Sequence, residues 1–347
     1  IHVVNEARRC LHCKKPMCRE GCPINTNIPE VIELFRTGHK EDAGAMLYAN
    51  NPLSVICSLV CDHDKQCEGH CVLGRKGAPV HFSSIENYIS DSYLDHLHLE
   101  MQPKTGQRVA IIGSGPAGIT ISVLLAQRGY QVTMFESREK IGGVLRYGIP
   151  EFRLPKSILD RYKNQLTQMG IRIRPNTAIG RTLTVDDLQR DGYEAIFIGT
   201  GVWKPKAMGV PGESLGNVNY AIDYLVNPDV YDLGDDLVVI GAGNSAMDVA
   251  RTALRKGVRR VSVFCRRYQT AASVREVDYA KADGVEFFYG MRPTRIVDNG
   301  VYYKKVEMDE EGNITSTSEE QFFPCSSVII AISQGAQNRI VNKVGGQ

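Results

Sequence analysis

The 347-residue chain is 43% hydrophobic and 23% charged, a globular composition with enough apolar material for two or three domains. Its net charge of +2 carries no signature of a nucleic-acid or anionic-membrane partner, and no run of about 18 apolar residues offers a membrane span. No apolar signal region opens the chain, so a cytoplasmic location is expected; it begins at Ile1 rather than methionine, which leaves room for a leader ahead of it.

Residues 1–102 read as short helices and cysteine loops. Eight of the ten cysteines lie between Cys10 and Cys71. The first group runs Cys10-x2-Cys13-x4-Cys18-x3-Cys22-Pro23, and the second runs Cys57-x3-Cys61-x5-Cys67-x3-Cys71. A disulfide framework belongs to short secreted chains, so this density in a large chain points to metal. Soft thiolates suit iron–sulfur clusters, and a cubane takes four ligands. In ferredoxin-like runs three close cysteines hold one cube, while the cysteine before proline reaches another. By that rule Cys10, Cys13 and Cys18 share one cluster and Cys22 joins the second group. The alternatives are structural zinc, held by two pairs of cysteines across a spacer, and free structural thiols. Two helices are expected in this region. One is "IPEVIELFRTG" (28–38); the other is "SSIENYISDSYLDHL" (83–97), capped by Ser83 or Ser84. "MQPKTGQ" (101–107) reads as a linker.

A βαβ unit follows: the apolar strand "RVAIIG" (108–113), a glycine loop, an apolar helix and the strand "QVTMFE" (131–136). The loop "GSGPAG" supplies Gly113, Gly115 and Gly118, with Pro116 and Ala117 opening the helix. The glycines serve the tight turn, the approach of a pyrophosphate and the helix–strand contact. Glu136 ends the second strand, where a carboxylate binds a ribose hydroxyl; otherwise it is a solvated strand end. The same succession recurs in "DLVVIG" (236–241), "GAGNSAMD" and "RVSVFC" (260–265). Here Gly241, Gly243 and Ala246 stand at the fingerprint positions, with Asn244 and Ser245 between them. No acid follows the second strand. Arg266 and Arg267 stand there instead, suited to a 2′-phosphate and so to NADP(H) over NAD(H); the plain alternative is a basic solvated turn. Cys265 has no CxxC partner, which disfavours dithiol–disulfide chemistry, and it is expected to be a buried strand residue. "MDEEGNITSTSEEQ" (308–321) reads as an exposed hairpin or loop.

The cysteine spacings, "CEGHCVLG" (67–74) and both glycine loops occur in an order that resembles the glutamate synthase small-subunit family, over essentially the whole chain. That family includes the large subunit of the bifurcating NADH-dependent ferredoxin:NADP oxidoreductase and the N-terminal half of dihydropyrimidine dehydrogenase. The resemblance implies an α/β fold: a helical domain with two [4Fe-4S] clusters (1–102), an FAD-binding Rossmann-like domain (103–203 plus 326–347) and an NAD(P)H-binding one (204–325). It also implies that Cys71 completes the first cluster. Cys22, Cys61 and Cys67 would hold the second, with Glu86 as an unusual oxygen ligand and Cys57 a bystander; between Glu86 and Cys57 the residues themselves leave the choice open.

In "ESREKIGGVLRYGIPEFRLPK" (136–156) the resemblance places Gly142, Gly143 and Leu145 along FAD. Lys156 stands near the flavin ring or, on the plain reading, is a solvated lysine at a helix start. "IGTG" (198–201), with Thr200 and Gly201, abuts the flavin nucleotide. Flavin must sit between a two-electron nicotinamide and one-electron clusters. The expected role is therefore an electron-input subunit within a hetero-oligomer. Its partner would resemble the glutamate synthase large subunit, a ferredoxin-linked subunit or a pyrimidine-reducing module. A stand-alone diaphorase and a non-catalytic nucleotide-binding scaffold are the competing roles. The family's FAD domain closes with a glycine–aspartate motif beyond "VIIAISQG" (328–335), and the sequence reaches Gln347 without it. The expectation is that the polypeptide continues and that this segment alone holds FAD weakly.

Overall fold

Residues 2–337 and 339–343 are described by the computed structural model, so Ile1, Asn338 and residues 344–347 lie outside it, including part of the expected 326–347 segment. The chain divides into two units: residues 1–146, 151–201 and 338–347 form one, residues 147–150 and 202–337 the other.

The first unit opens with six helices: α1 (His2–Arg8), α2 (Met17–Glu20), α3 (Ile28–Arg36), α4 (Lys40–Asn50), α5 (Ser54–Val60) and α6 (Phe82–Leu94). Apolar residues at helical spacing, among them Val31, Ile32, Leu47, Ile85 and Ile89, bury against one another as one core. Both expected helices form, but the cap of the second differs. Ser83 and Ser84 lie inside α6, whose N-cap is His81 with no side-chain cap of its own. Carboxylates from elsewhere take over: Glu6 accepts from His81 N at 2.8 Å and Glu68 from Ser83 N at 2.9 Å. A remote acid can satisfy the free amides of a helix start as well as a local serine does.

The linker 101–107 then leads to β1 (Arg108–Ile112), α7 (Pro116–Gln127), β2 (Gln131–Phe135), α8 (Val144–Tyr147), α9 (Lys156–Gln168), β3 (Arg172–Arg174), α10 (Val185–Arg190) and β4 (Tyr193–Ile198). The sheet is parallel, in the order β3-β2-β1-β4. Helix α9 ties this sheet to the helical region. Arg161 ion-pairs with Asp91 at 2.5 Å and Asp95 at 3.0 Å, and Tyr162 donates to the Pro52 carbonyl at 2.6 Å.

The second unit contains β5 (Lys204–Pro205), β6 (Val218–Tyr220), α11 (Ala221–Val226), β7 (Asp236–Ile240), α12 (Asn244–Arg255), β8 (Arg260–Cys265), α13 (Val274–Asp283) and β9 (Glu286–Tyr289). After these come β10 (Met291–Val297), β11 (Gly300–Met308), β12 (Ile314–Pro324), β13 (Ser327–Ile330) and β14 (Gln334–Gly335). Its five-stranded sheet runs β6-β13-β7-β8-β9. With β7 as the first strand, the part β9-β8-β7-β13 repeats the order of the other sheet, so one nucleotide-binding plan occurs twice. The antiparallel sheet β10-β11-β12 fills the crossover to β13, and residues 308–321 form its exposed hairpin end.

One expected boundary shifts. The sequence places residues from 326 in the first nucleotide domain, yet Ser327–Ile330 pairs with both β7 and β6 in the second sheet. The run "SVII" is completely buried, as a central parallel strand requires. Among the described residues no single helix is long and apolar enough to cross a membrane.

Candidate cofactor sites

Around α2 and its flanking loops, Cys10, Cys13, Cys18 and Cys71 line one cavity together with Cys67, and the rest of its wall is mostly apolar, including Ile28, Ile32, Val80 and Phe82. Burial pushes the Cys18 thiol up to about 11 and the Cys10 thiol in the same direction, and each feels the charge of Cys13 and Cys71. Thiols in such a place ionise readily only against a cation.

Cys22, Cys61 and Glu86 lie near Cys67, and Cys57 stands beside Cys61. Burial drives the Cys67 thiol upward, and Glu86 and Cys22 add their charges to it. The Cys57 sulfur accepts from Asn51 Nδ2 at 3.1 Å. A hydrogen bond from Cys61 lowers Cys57 to about 7 and raises Cys61. Glu86, 7% exposed, is pushed up to about 8 by burial although Ser54 Oγ donates to it at 2.8 Å. Both candidates for the eighth ligand, Glu86 and Cys57, therefore face Cys61.

The donor set fits clusters. Zinc with Zn–S bonds of ~2.3 Å would draw its sulfurs to within about 3.8 Å of one another. Among the described residues no three His, Cys, Asp or Glu groups converge closely enough to hold a single ion. The sulfurs of the Cys10 set are spread around a cavity, as a cofactor with its own volume needs.

The first nucleotide loop joins β1 to α7. Gly113 has φ +102°, and a Cβ there would stand 2.2 Å from the Gly199 carbonyl oxygen, so only glycine makes this turn. The contact also packs the "IGTG" turn, with Thr200 and Gly201, onto the loop; Gly199 N donates to Ile112 O at 2.8 Å. Glu136 is buried and holds Ser114 through its amide at 3.2 Å and its hydroxyl, while its other oxygen accepts from Arg138 N at 2.8 Å. Gly142 N donates to Ser114 O at 2.9 Å, which brings Gly142, Gly143 and the buried Leu145 to the same loop. Lys156 starts α9, half-buried, with its ammonium donating to the Leu145 carbonyl at 2.8 Å. Pro116, Ala117 and Gly118 form the first turn of α7, behind its N-cap Gly115.

The second loop joins β7 to α12. Asn244 Oδ1 accepts from Ser273 N at 3.0 Å, and Ala271 and Ala272 both donate to Ala242 O at 2.9 Å. These bonds fold the segment after β8 back onto the glycine loop. Arg266 and Arg267 ride that segment, exposed, with no ion-pair or hydrogen-bond partner among the described residues. Ser245 and the buried Ala246 begin α12 behind Gly243. A Cβ on Gly243 would meet nothing within 4 Å, and one on Gly115 would meet only Gly143 Cα at 3.9 Å. Open space over the second glycine, at the N-terminus of a 12-residue helix, is the cradle a pyrophosphate needs in both loops. Cys265 is 0% exposed in β8, a buried strand residue as expected.

Sequence reasoning missed Glu68. It is 2% exposed beside Cys67, and Ser83 donates to it through both N and Oγ. Burial would raise this carboxyl, but the hydrogen bonds from Ser83 outweigh it and hold the group below the ordinary carboxylate range. Its partners lie 15 residues ahead in the chain, so no local pattern marks it.

Comparison with known proteins agrees with this layout. Residues 2–97 match the family of dihydropyrimidine dehydrogenase domain II, 4Fe-4S cluster. Residues 107–346 match the pyridine nucleotide-disulphide oxidoreductase family. The glutamate synthase [NADPH] small chain of Azospirillum brasilense is 36% identical over 312 residues, covering 83% of this chain and 64% of that protein. Its counterpart from Halomonas elongata is 34% identical, covering 94% of this chain and 75% of that protein. The chain thus spans about two thirds to three quarters of the length of these relatives. In fold it is similar to Mycobacterium tuberculosis FprA in complex with NADPH, with a TM-score of 0.57 at 20% identity over 67% of this chain and 72% of that one. An iron–sulfur region followed by paired nucleotide-binding sheets, in a chain this similar to those relatives, belongs to the glutamate synthase small-chain family of pyridine nucleotide-disulphide oxidoreductases.

Proposed function

We propose that the chain is the electron-input subunit of an NAD(P)H-dependent oxidoreductase. It would oxidise NADPH at FAD and send single electrons through two [4Fe-4S] clusters to a partner subunit, as in a glutamate synthase. Bound flavin would supply the exchange between two-electron hydride chemistry and one-electron transfer. The observation that carries this reading is the pairing of two thiol-rich groups with two open glycine loops in one chain.

Each group of residues has a task. Cys10, Cys13, Cys18 and Cys71 would hold one cluster, and Cys22, Cys61, Cys67 and Glu86 the other, with apolar walls setting their potentials. The loop 113–118, Glu136, the 142–145 segment and Thr200–Gly201 would seat FAD. The Lys156 ammonium, on the Leu145 carbonyl, would put positive charge beside the flavin ring. Gly241, Gly243, Asn244, Ser245 and Ala246 would seat the pyrophosphate of the nicotinamide nucleotide. Arg266 and Arg267, exposed and without partners among the described residues, would take a 2′-phosphate, which favours NADPH over NADH.

Purification of the full-length polypeptide under anaerobic conditions, with iron, acid-labile sulfide and flavin analysis, tests this. The expected result is two clusters and one flavin per chain, with the flavin bleached by NADPH more readily than by NADH. Stoichiometric zinc without sulfide would overturn it. Co-purification of a stoichiometric subunit separates the proposed role from a stand-alone diaphorase.

A further inference from the structure

Glu68 is a buried carboxylate of the helical domain, and the role proposed above assigns it nothing. It follows Cys67 directly in the chain. One oxygen, Oε1, accepts from Ser83 N at 2.9 Å and Ser83 Oγ at 2.6 Å; the other faces His81 Nδ1 at 3.3 Å. Ser83 lies in the first turn of α6, and Glu86 lies one turn further along the same face, since residues i and i+3 of a helix are neighbours. A single side chain thus bolts the Cys67 loop to the helix that carries Glu86. The same segment is fixed from the other side: Arg9, paired with Glu6, donates to the Pro79 carbonyl at 2.9 Å, and Glu6 accepts from His81 N.

We infer that Glu68 is the positioning residue of the second cluster: it sets Cys67 in register with Glu86 and places a fixed negative charge beside that cluster. The inference rests on the reading of Cys67 and Glu86 as ligands. A negative charge close to a cluster opposes addition of an electron, so Glu68 holds this cluster at the lower potential its neutral counterpart would not have. Charge-assisted hydrogen bonds to Ser83 make the arrangement stiff, and groups that orient ligands in this way govern the metal they never touch.

The test compares wild type with Glu68→Gln and Glu68→Asp by redox titration followed by electron paramagnetic resonance, with iron and sulfide analysis of each preparation. Glu68→Gln keeps the shape and one acceptor but removes the charge. The expected result is full iron and sulfide, one midpoint potential shifted positive and the other unchanged. Glu68→Asp keeps the charge and shortens the reach, so it should alter the spectrum of the same cluster while moving its potential less. Unchanged potentials in a fully loaded Glu68→Gln protein, or equal shifts of both clusters, would overturn the inference. Wild type without acid-labile sulfide would instead overturn the cluster reading on which it rests.

Discussion

Arg266 and Arg267 lie just beyond the end of β8, exposed and with no partner among the described residues, in a segment tied by backbone bonds to the second glycine loop. A 2′-phosphate there would gain charge-assisted hydrogen bonds worth about 1.5–3 kcal/mol each. Replacing both arginines by alanine should raise the NADPH concentration needed for half-maximal flavin reduction by roughly 10- to 100-fold per lost bond. The response to NADH should stay nearly constant, since NADH lacks the 2′-phosphate. Parallel titrations with the two nucleotides check this, and equal losses for both would refute it. Cys265 offers a second test at the same scale. Burial raises its thiol from 9.0 to about 11, so the folded chain keeps a proton that the unfolded chain releases above pH 9. Its contribution is fully present below pH 9 and is lost as pH rises toward 11, with a slope of about 1.4 kcal/mol per unit. Anaerobic urea unfolding at pH 8, 9 and 10 should show a shallower decline for Cys265→Ala than for wild type, beneath a constant packing loss. Residues with intrinsic chemistry and tight spacing, such as the cysteine run, were legible from the sequence. Glu68 was not, because its role is created by Ser83 and His81 across a loop.

The repeated strand–loop–helix unit is the element on which the nucleotide chemistry depends. Gly243 adopts φ −90° and ψ −179°, an extended conformation open to any residue, and the space above its Cβ position is empty. Gly243→Val should therefore fold with an unchanged melting temperature, yet lose NADPH-driven bleaching because the methyls occupy the place of the pyrophosphate. Gly113→Ala should behave differently. Its Cβ would press on the Gly199 carbonyl and its φ of +102° would be strained, so stability falls along with flavin content. Thermal melts and flavin analysis of the two variants separate an obstructed ligand from a damaged turn; matching behaviour would refute the distinction. Both βαβ units could be read from the sequence because their apolar strands and glycine loops are local signals. The cap of α6 could not, since Ser83 donates to Glu68 instead of accepting from the helix.

Across the molecule, separate cores support separate tasks. The helical region packs around Val31, Leu47, Ile85 and Ile89, whereas the second unit packs around Val239, Met247, Val261 and Val263. The division was only partly legible: β13 joins β7 and β6 from about 90 and 110 residues away, a parallel pairing no local pattern announces, so the boundary expected at 326 fell too early. Independent cores predict that damage to one site leaves the other intact. Cys18 lines the N-terminal cavity. Cys18→Ala should lower the iron and sulfide content by about one cluster's share, because a cubane held by three thiolates is readily lost. NADPH should still bleach the flavin at close to the wild-type rate, since the glycine loops, Arg266 and Arg267 are untouched. Delivery to a one-electron protein acceptor should collapse, because the missing cluster interrupts the only one-electron route proposed for this chain. Stopped-flow bleaching measured beside acceptor reduction distinguishes the two steps. Loss of bleaching together with acceptor reduction would show that the sites depend on one another, and unimpaired acceptor reduction would mean that electrons leave without crossing the cluster of Cys18.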